Sequence, residues 1–209
     1  ESLHLGLWIT GHRISGNWAH PDEKTNVYEL KAYVENILTR LGVERGRLLM
    51  TQTSNELLST ALSITNRDGK EIGRLGIVST KVLKIFDIDA EVCFADLHWP
   101  LLLRLAGKTV TFTDIPKFPS VKRDLALLLD KNITFAQVEK AALEAEKKLI
   151  KEVTLFDVYE GKNLPEGKKS YAISLLLQDD TKTLNDKQIE HIMSKVVTNL
   201  QNKLNATLR

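Results

Sequence analysis

Only one cysteine, Cys93, occurs in the 209 residues. That excludes an internal disulfide framework and any cysteine-based zinc cluster, and it fits a reducing compartment. Long apolar runs are absent as well. Pure stretches such as Leu125–Leu129 fall far short of the roughly 18 residues needed to cross a bilayer, so a membrane-spanning protein is excluded. Charge of one sign is missing too: 29 basic residues against 27 acidic leave a net charge of +2. Dividing the chain at Asp114 puts 13 of each sign before it, and 16 basic and 14 acidic residues from it onward. With no overall polycation, a nucleic acid would have to be held by a local patch.

Catalytic signatures are equally scarce. No Walker loop is present, no Gly-x-Gly-x-x-Gly follows a strand, and no Gly-x-Ser-x-Gly elbow occurs. Gly73-Arg-Leu-Gly76 is the nearest approach, and it reads as a strand with close-packed glycines. The five histidines, His4, His12, His20, His98 and His191, form no i, i+4 pair on an expected helix and join no carboxylate cluster at ligand spacing. Structural roles are expected for them. The chain opens on Glu1 without a basic and apolar leader, which reads as an internal cut in a longer polypeptide.

What is present is the balance of a globular protein, 43% hydrophobic and 27% charged. His4–Gly11 alternates as a strand, and Gly16–Asn26 is expected as a polar loop. From Val27, apolar residues at 30, 34, 37, 38 and 41 predict a helix that Gly42 stops. Strands are expected at Arg47–Thr51, Ala61–Thr65, Glu71–Val78 and Glu91–Leu97, the second and third joined through Asp68-Gly69. Short helices are expected at Lys81–Phe86 and Pro100–Leu105. Pro116 and Pro119 stiffen a junction over Gly107–Ser120, and the boundary is placed near Asp114, giving domains 1–113 and 114–209.

The second half predicts a strand at Arg123–Asp130, a helix at Thr134–Leu149, paired strands at Glu152–Glu160 and Lys169–Leu177, a helix at Asn185–Leu204 and a last strand at Ala206–Leu208. The order β-α-β-β-α-β is the ferredoxin-like arrangement, with two helices on one sheet face and the other face free to bind. Strand period puts Val153, Leu155, Asp157 and Tyr159 on one face, expected open, and Phe156 and Val158 on the other, expected to meet the helices. On the open face a ring can stack on a base while a carboxylate accepts from a base edge. Equally, Tyr159 could cap an apolar edge and Asp157 be a solvated strand residue. Arg123, Lys162, Lys168 and Lys169 are candidates for phosphate contact.

Four segments then carry a resemblance: Phe118-Pro-Ser-Val-Lys-Arg-Asp-Leu-Ala-Leu, Leu155-Phe-Asp-Val-Tyr-Glu-Gly, Leu164-Pro-Glu-Gly-Lys-Lys-Ser and Thr183-Leu-Asn-Asp. In order and spacing they resemble the ferredoxin-fold anticodon-binding domain of phenylalanyl-tRNA synthetase, over about Asp114 to Arg209. Upstream, Leu7-Trp-Ile-Thr-Gly with Trp18, Tyr28-Glu-Leu-Lys and Gly73-Arg-Leu-Gly-Ile resemble the class II synthetase-like module that precedes that domain in the bacterial beta chain. Ser79-Thr80 stands where the family has His-Pro. The resemblance implies an α+β protein, an antiparallel class II synthetase-like module without catalytic signatures followed by a ferredoxin-like domain. It implies a cytoplasmic ligase joining phenylalanine to tRNA(Phe) with ATP and magnesium, built from two alpha and two beta chains. The alpha chain would carry the active site, and the beta chain's editing and magnesium sites would lie upstream. Asp157, Tyr159 and Ser170 take the positions of the family's anticodon contacts. The rival readings are a ferredoxin-like small-ligand regulatory module and an autonomous enzyme.

Overall fold

Asn26 begins the first helix by accepting from the backbone N–H groups of Tyr28 and Glu29 at 2.9 and 3.1 Å, which satisfies donors that have no partner inside the helix. Leu30, Val34 and Leu38 then fall on one buried stripe. In this computed structural model the described residues are 1–43, 45–107, 112 and 114–209, with Arg45 described by its backbone alone. The chain divides into two compact units, Glu1–Phe112 and Thr113–Arg209. Of the junction expected over Gly107–Ser120, residues 108–111 and 113 lie outside the described residues.

The first unit runs β1 (His4–Thr10), β2 (His12–Ile14), β3 (Glu23–Lys24), α1 (Val27–Arg40), β4 (Leu48–Thr53), β5 (Leu58–Asn66), β6 (Glu71–Val78), α2 (Thr80–Ile85), β7 (Val92–His98) and α3 (Trp99–Leu105). Five strands form one antiparallel sheet in the order β1-β7-β6-β5-β4. The Asp68-Gly69 hairpin closes as expected: Gly69 takes φ +77°, which an L side chain resists. The glycines of β6 are close-packed. A Cβ on Gly73 would sit 2.7 Å from Leu97 Cδ2, and one on Gly76 would sit 2.8 Å from Ala61 Cα. Leu30, Val34, Ile64, Leu75, Ala95, Leu97 and Leu102 form the buried core between the sheet and α1 and α3.

One expectation in this unit is corrected. Glu23–Lys24, inside the supposed loop Gly16–Asn26, pairs with His12–Ile14. The Asp22 carboxylate draws the segment closed, accepting from Gly16 N–H at 2.9 Å and meeting His12 Nε2 at 2.7 Å. Two residues are too few to show an alternation. His98 has a structural place as well, its Nδ1 accepting from Leu101 N–H at 3.4 Å at the start of α3.

The second unit runs β8 (Val121–Asp130), α4 (Phe135–Ala145), β9 (Ile150–Tyr159), β10 (Lys168–Leu177), α5 (Asp186–Leu204) and β11 (Thr207–Leu208). Its four strands are antiparallel in the order β11-β8-β10-β9, the ferredoxin-like arrangement. Reciprocal capping boxes start both helices, Thr134 with Gln137 and Asn185 with Gln188. The helix expected over Thr134–Leu149 is shorter than its pattern. It stops at Ala145, where Glu146 turns extended at φ −152°, and Leu149 packs on the core from outside the helix. No glycine or proline marks this end; the pairing of Ile150 with Leu177 sets it. Leu127, Leu129, Val138, Ala142, Ile173, Leu175, Val196 and Leu200 are buried between the sheet and the two helices.

Cys93 tests the packing of the first unit. It is 1% exposed, and burial pushes its thiol up, with the Glu91 and Glu29 charges adding to the shift. At neutral pH a thiol reagent should modify the folded chain slower than the denatured chain by roughly two orders of magnitude or more. Equal rates would place Cys93 at the surface.

Candidate nucleic-acid interface

Strand β10 pairs on both edges, so its alternation sorts the whole sheet. Tyr171, Ile173, Leu175 and Leu177 belong to the core under the helices, and Lys168, Ser170, Ala172, Ser174 and Leu176 fall on the opposite face. Register places Leu128 of β8 and Tyr159 of β9 opposite Ser170, and Asp157 opposite Ala172. Asp157, Tyr159 and Ser170 therefore share the face away from the helices.

The phase of β9 differs from the expected one. Pairing steps from Asp157 opposite Ala172 to Leu155 opposite Ile173, leaving Phe156 as an unpaired extra residue. Such a bulge shifts the alternation by one position. Val153 and Leu155, expected on the open face, pack instead on the core. Phe156, expected against the helices, is 58% exposed, whereas Val158 keeps the expected helix-facing register opposite Tyr171 and, near the strand end, is 49% exposed.

Tyr159 ends β9 on this open face. The Arg209 guanidinium lies over its ring, 5.5 Å from the centroid, a distance at which cation and ring attract. Arg209 arrives there by a sharp reversal. Asn205, in the left-handed conformation at φ +49°, closes α5, Thr207 and Leu208 pair with β8, and the Arg209 N–H donates to the Ala126 carbonyl at 3.0 Å. Asn205 suits that conformation because its short polar side chain tolerates it. Arg209 went unassigned in the sequence. No local signal marks it, because the terminal strand Thr207–Leu208 is too short to show an alternation.

The phosphate candidates are not brought together. Lys168 is tied to Asp130 by a 2.7 Å ion pair at the hairpin end. Lys162 is exposed on the loop between β9 and β10, which Gly167 completes at φ +77°. Lys169 is a correction. As an odd-numbered residue of β10 it points with the core side chains, it is 7% exposed, and its Nζ donates to Tyr171 Oη at 2.7 Å. Arg123 stands opposite Leu175, on the helix-facing register, and its Nη1 donates to the Lys122 carbonyl. Neither joins Asp157 and Tyr159. The open face thus offers an aromatic ring, a guanidinium and a carboxylate, groups able to stack on a base and bond its edge; Ser170 lies on the same face but is buried, 6% exposed.

Comparison with known proteins places both units. Residues 116–209 match the ferredoxin-fold anticodon binding domain, and residues 1–99 match the phenylalanyl tRNA synthetase beta chain CLM domain. Across the full length the chain is 57% identical to a phenylalanine–tRNA ligase beta subunit of Bacteroides thetaiotaomicron, 51% to that of Porphyromonas gingivalis and 35% to that of Bacillus licheniformis. It spans 26% of the length of each of these curated relatives. No helix among the described residues is long and apolar enough to cross a membrane.

The bulge at Phe156 sets a stability test. Leu155→Ala should destabilise the second unit by about 1–3 kcal/mol, whereas Phe156→Ala should stay within about 0.5 kcal/mol in denaturant unfolding. The reverse order would restore the unbulged phase, with Phe156 against the helices and Leu155 beside Asp157 on the open face.

Proposed function

This chain belongs to the phenylalanyl-tRNA synthetase beta-chain family, and from that premise we propose that its second domain, 114–209, reads the anticodon of tRNA(Phe). Asp157, Tyr159 and Ser170 are the readers, with Lys162 and Lys168 as the phosphate candidates nearest them. Tyr159 stacks on the first anticodon base. Asp157 accepts from the N1–H and N2–H of guanine, since an ionised carboxylate has acceptors for both. Ser170 supports from the neighbouring strand. The observation that carries this reading is that the exposed Asp157 and Tyr159 share with the buried Ser170 the sheet face away from the helices, in a domain matching an anticodon-binding family.

The whole enzyme, in this proposal, is a cytoplasmic alpha2beta2 ligase that joins phenylalanine to tRNA(Phe) using ATP and magnesium, with its active site on the alpha chain. Among the described residues no group of three or more His, Cys, Asp or Glu side chains could hold a metal ion. The first domain, 1–113, is a class II synthetase-like module that docks the alpha chain. Its exposed Trp8, Trp18, Tyr28, Ile85 and Phe86 support that role as apolar surface suited to a partner.

Filter binding tests the reader. Tyr159→Ala should weaken tRNA binding roughly 5- to 150-fold, the range of one base–aromatic stack. Asp157→Asn should cost roughly 10- to 150-fold for a tRNA with guanine at the first anticodon position, as expected for hydrogen bonds to a charged group, and much less for one with another base there. Equal losses for every base would make Asp157 a fold residue. For the first domain, its deletion should abolish co-purification with the alpha chain or weaken it greatly; unchanged assembly would put that interface elsewhere.

A further inference from the structure

Gly161 stands two residues beyond Tyr159, in the loop after β9, and its carbonyl accepts from the Leu164 N–H at 3.2 Å. It is not one of the glycines with positive φ, which are Gly11, Gly42, Gly69 and Gly167. Its backbone would therefore accept an L side chain without strain. Space is what it lacks. A Cβ on Gly161 would overlap Tyr159 Cζ and Oη and come within 2.6 Å of Cε2. The hydroxyl end of the Tyr159 ring thus occupies the place where a side chain at 161 would be.

We propose that Gly161 is a positioning residue for Tyr159: its missing side chain makes the seat on which the ring rests, so that the stacking surface is set before RNA arrives. This rests on the reading of Tyr159 as the base-stacking ring. Tyr159 ends an edge strand, where a side chain unsupported from the loop would sample several rotamers. RNA binding would then have to immobilise it. The loop backbone at Gly161 and the guanidinium of Arg209, 5.5 Å from the ring centroid, together hold the ring in one place. Overlap at 161 involves the far end of a side chain rather than packed backbone, so a methyl there displaces the ring and leaves the fold intact.

Nuclear magnetic resonance on the full chain tests the seat without RNA. The Gly161 Hα signals should carry a ring-current shift that Tyr159→Ala removes. In Gly161→Ala the Tyr159 ring signals should move while amide signals outside the loop stay in place. Ordinary Gly161 Hα shifts, unaffected by Tyr159→Ala, would overturn the proposal. Binding of an RNA hairpin with guanine at the first anticodon position gives the second readout. Gly161→Ala should lose affinity roughly 5- to 150-fold, as loss of the stack would. In a Tyr159→Ala background the same change should cost less than about twofold, because the two act as one unit. An equal loss in both backgrounds would mean that Gly161 acts independently of Tyr159, and would overturn the proposal. If Tyr159→Ala leaves RNA affinity unchanged, the anticodon reading fails, and the ring-current result decides separately whether the seat exists.

Discussion

The central strand of the second unit, β10, is hydrogen-bonded along both edges, and this fixes which side chains can meet an outside molecule. A strand paired on both sides cannot rotate or slip without breaking two ladders. Its odd-numbered apolar residues Ile173, Leu175 and Leu177 are buried under the helices, so Ser170 has to face away from them. The neighbouring strand follows only because of the unpaired Phe156. Without that extra residue, Leu155 and Asp157 could not stand on opposite faces. One inserted residue lets β9 both supply the core and present a carboxylate and a ring outward.

The same economy holds at the end of the chain. Asn205 ends α5 in a left-handed conformation, Ala206 is buried, and two paired residues of β11 bring Arg209 over the Tyr159 ring. Recognition here depends on a few groups in register rather than on a field from the whole molecule, as the near-even charge count demands. Lys169 illustrates the distinction. It has the right charge and the right neighbourhood in sequence, yet the strand period turns its stem inward, where its ammonium meets the Tyr171 hydroxyl.

Much of this was legible in the sequence because local chemistry and global packing agree. The helix from Val27, the Asp68-Gly69 hairpin and the helix ending at Leu204 each combine a periodic stripe with a cap or turn residue of matching type. Misreadings arose where no local signal exists. The end of α4 at Ala145 is imposed by the pairing of Ile150 with Leu177. The bulge at Phe156 has no glycine to announce it, and a strict period of two misassigns every β9 residue on its N-terminal side. At the site, Asp157, Tyr159 and Ser170 could be named from their motif, but Arg209 and Gly161 could not. Their part depends on contacts made only after the sheet has assembled.

The account stands on the claim that RNA meets the sheet face away from the helices. Titrating the isotope-labelled chain with an RNA hairpin that has guanine at the first anticodon position, and mapping the resonances that shift, tests it most directly. The predicted result is a set of shifts centred on Asp157, Tyr159, Ser170, Leu128 and Arg209. Shifts confined to the outer surfaces of α4 and α5, at residues such as Lys140, His191 and Lys195, with the open face unchanged, would contradict it.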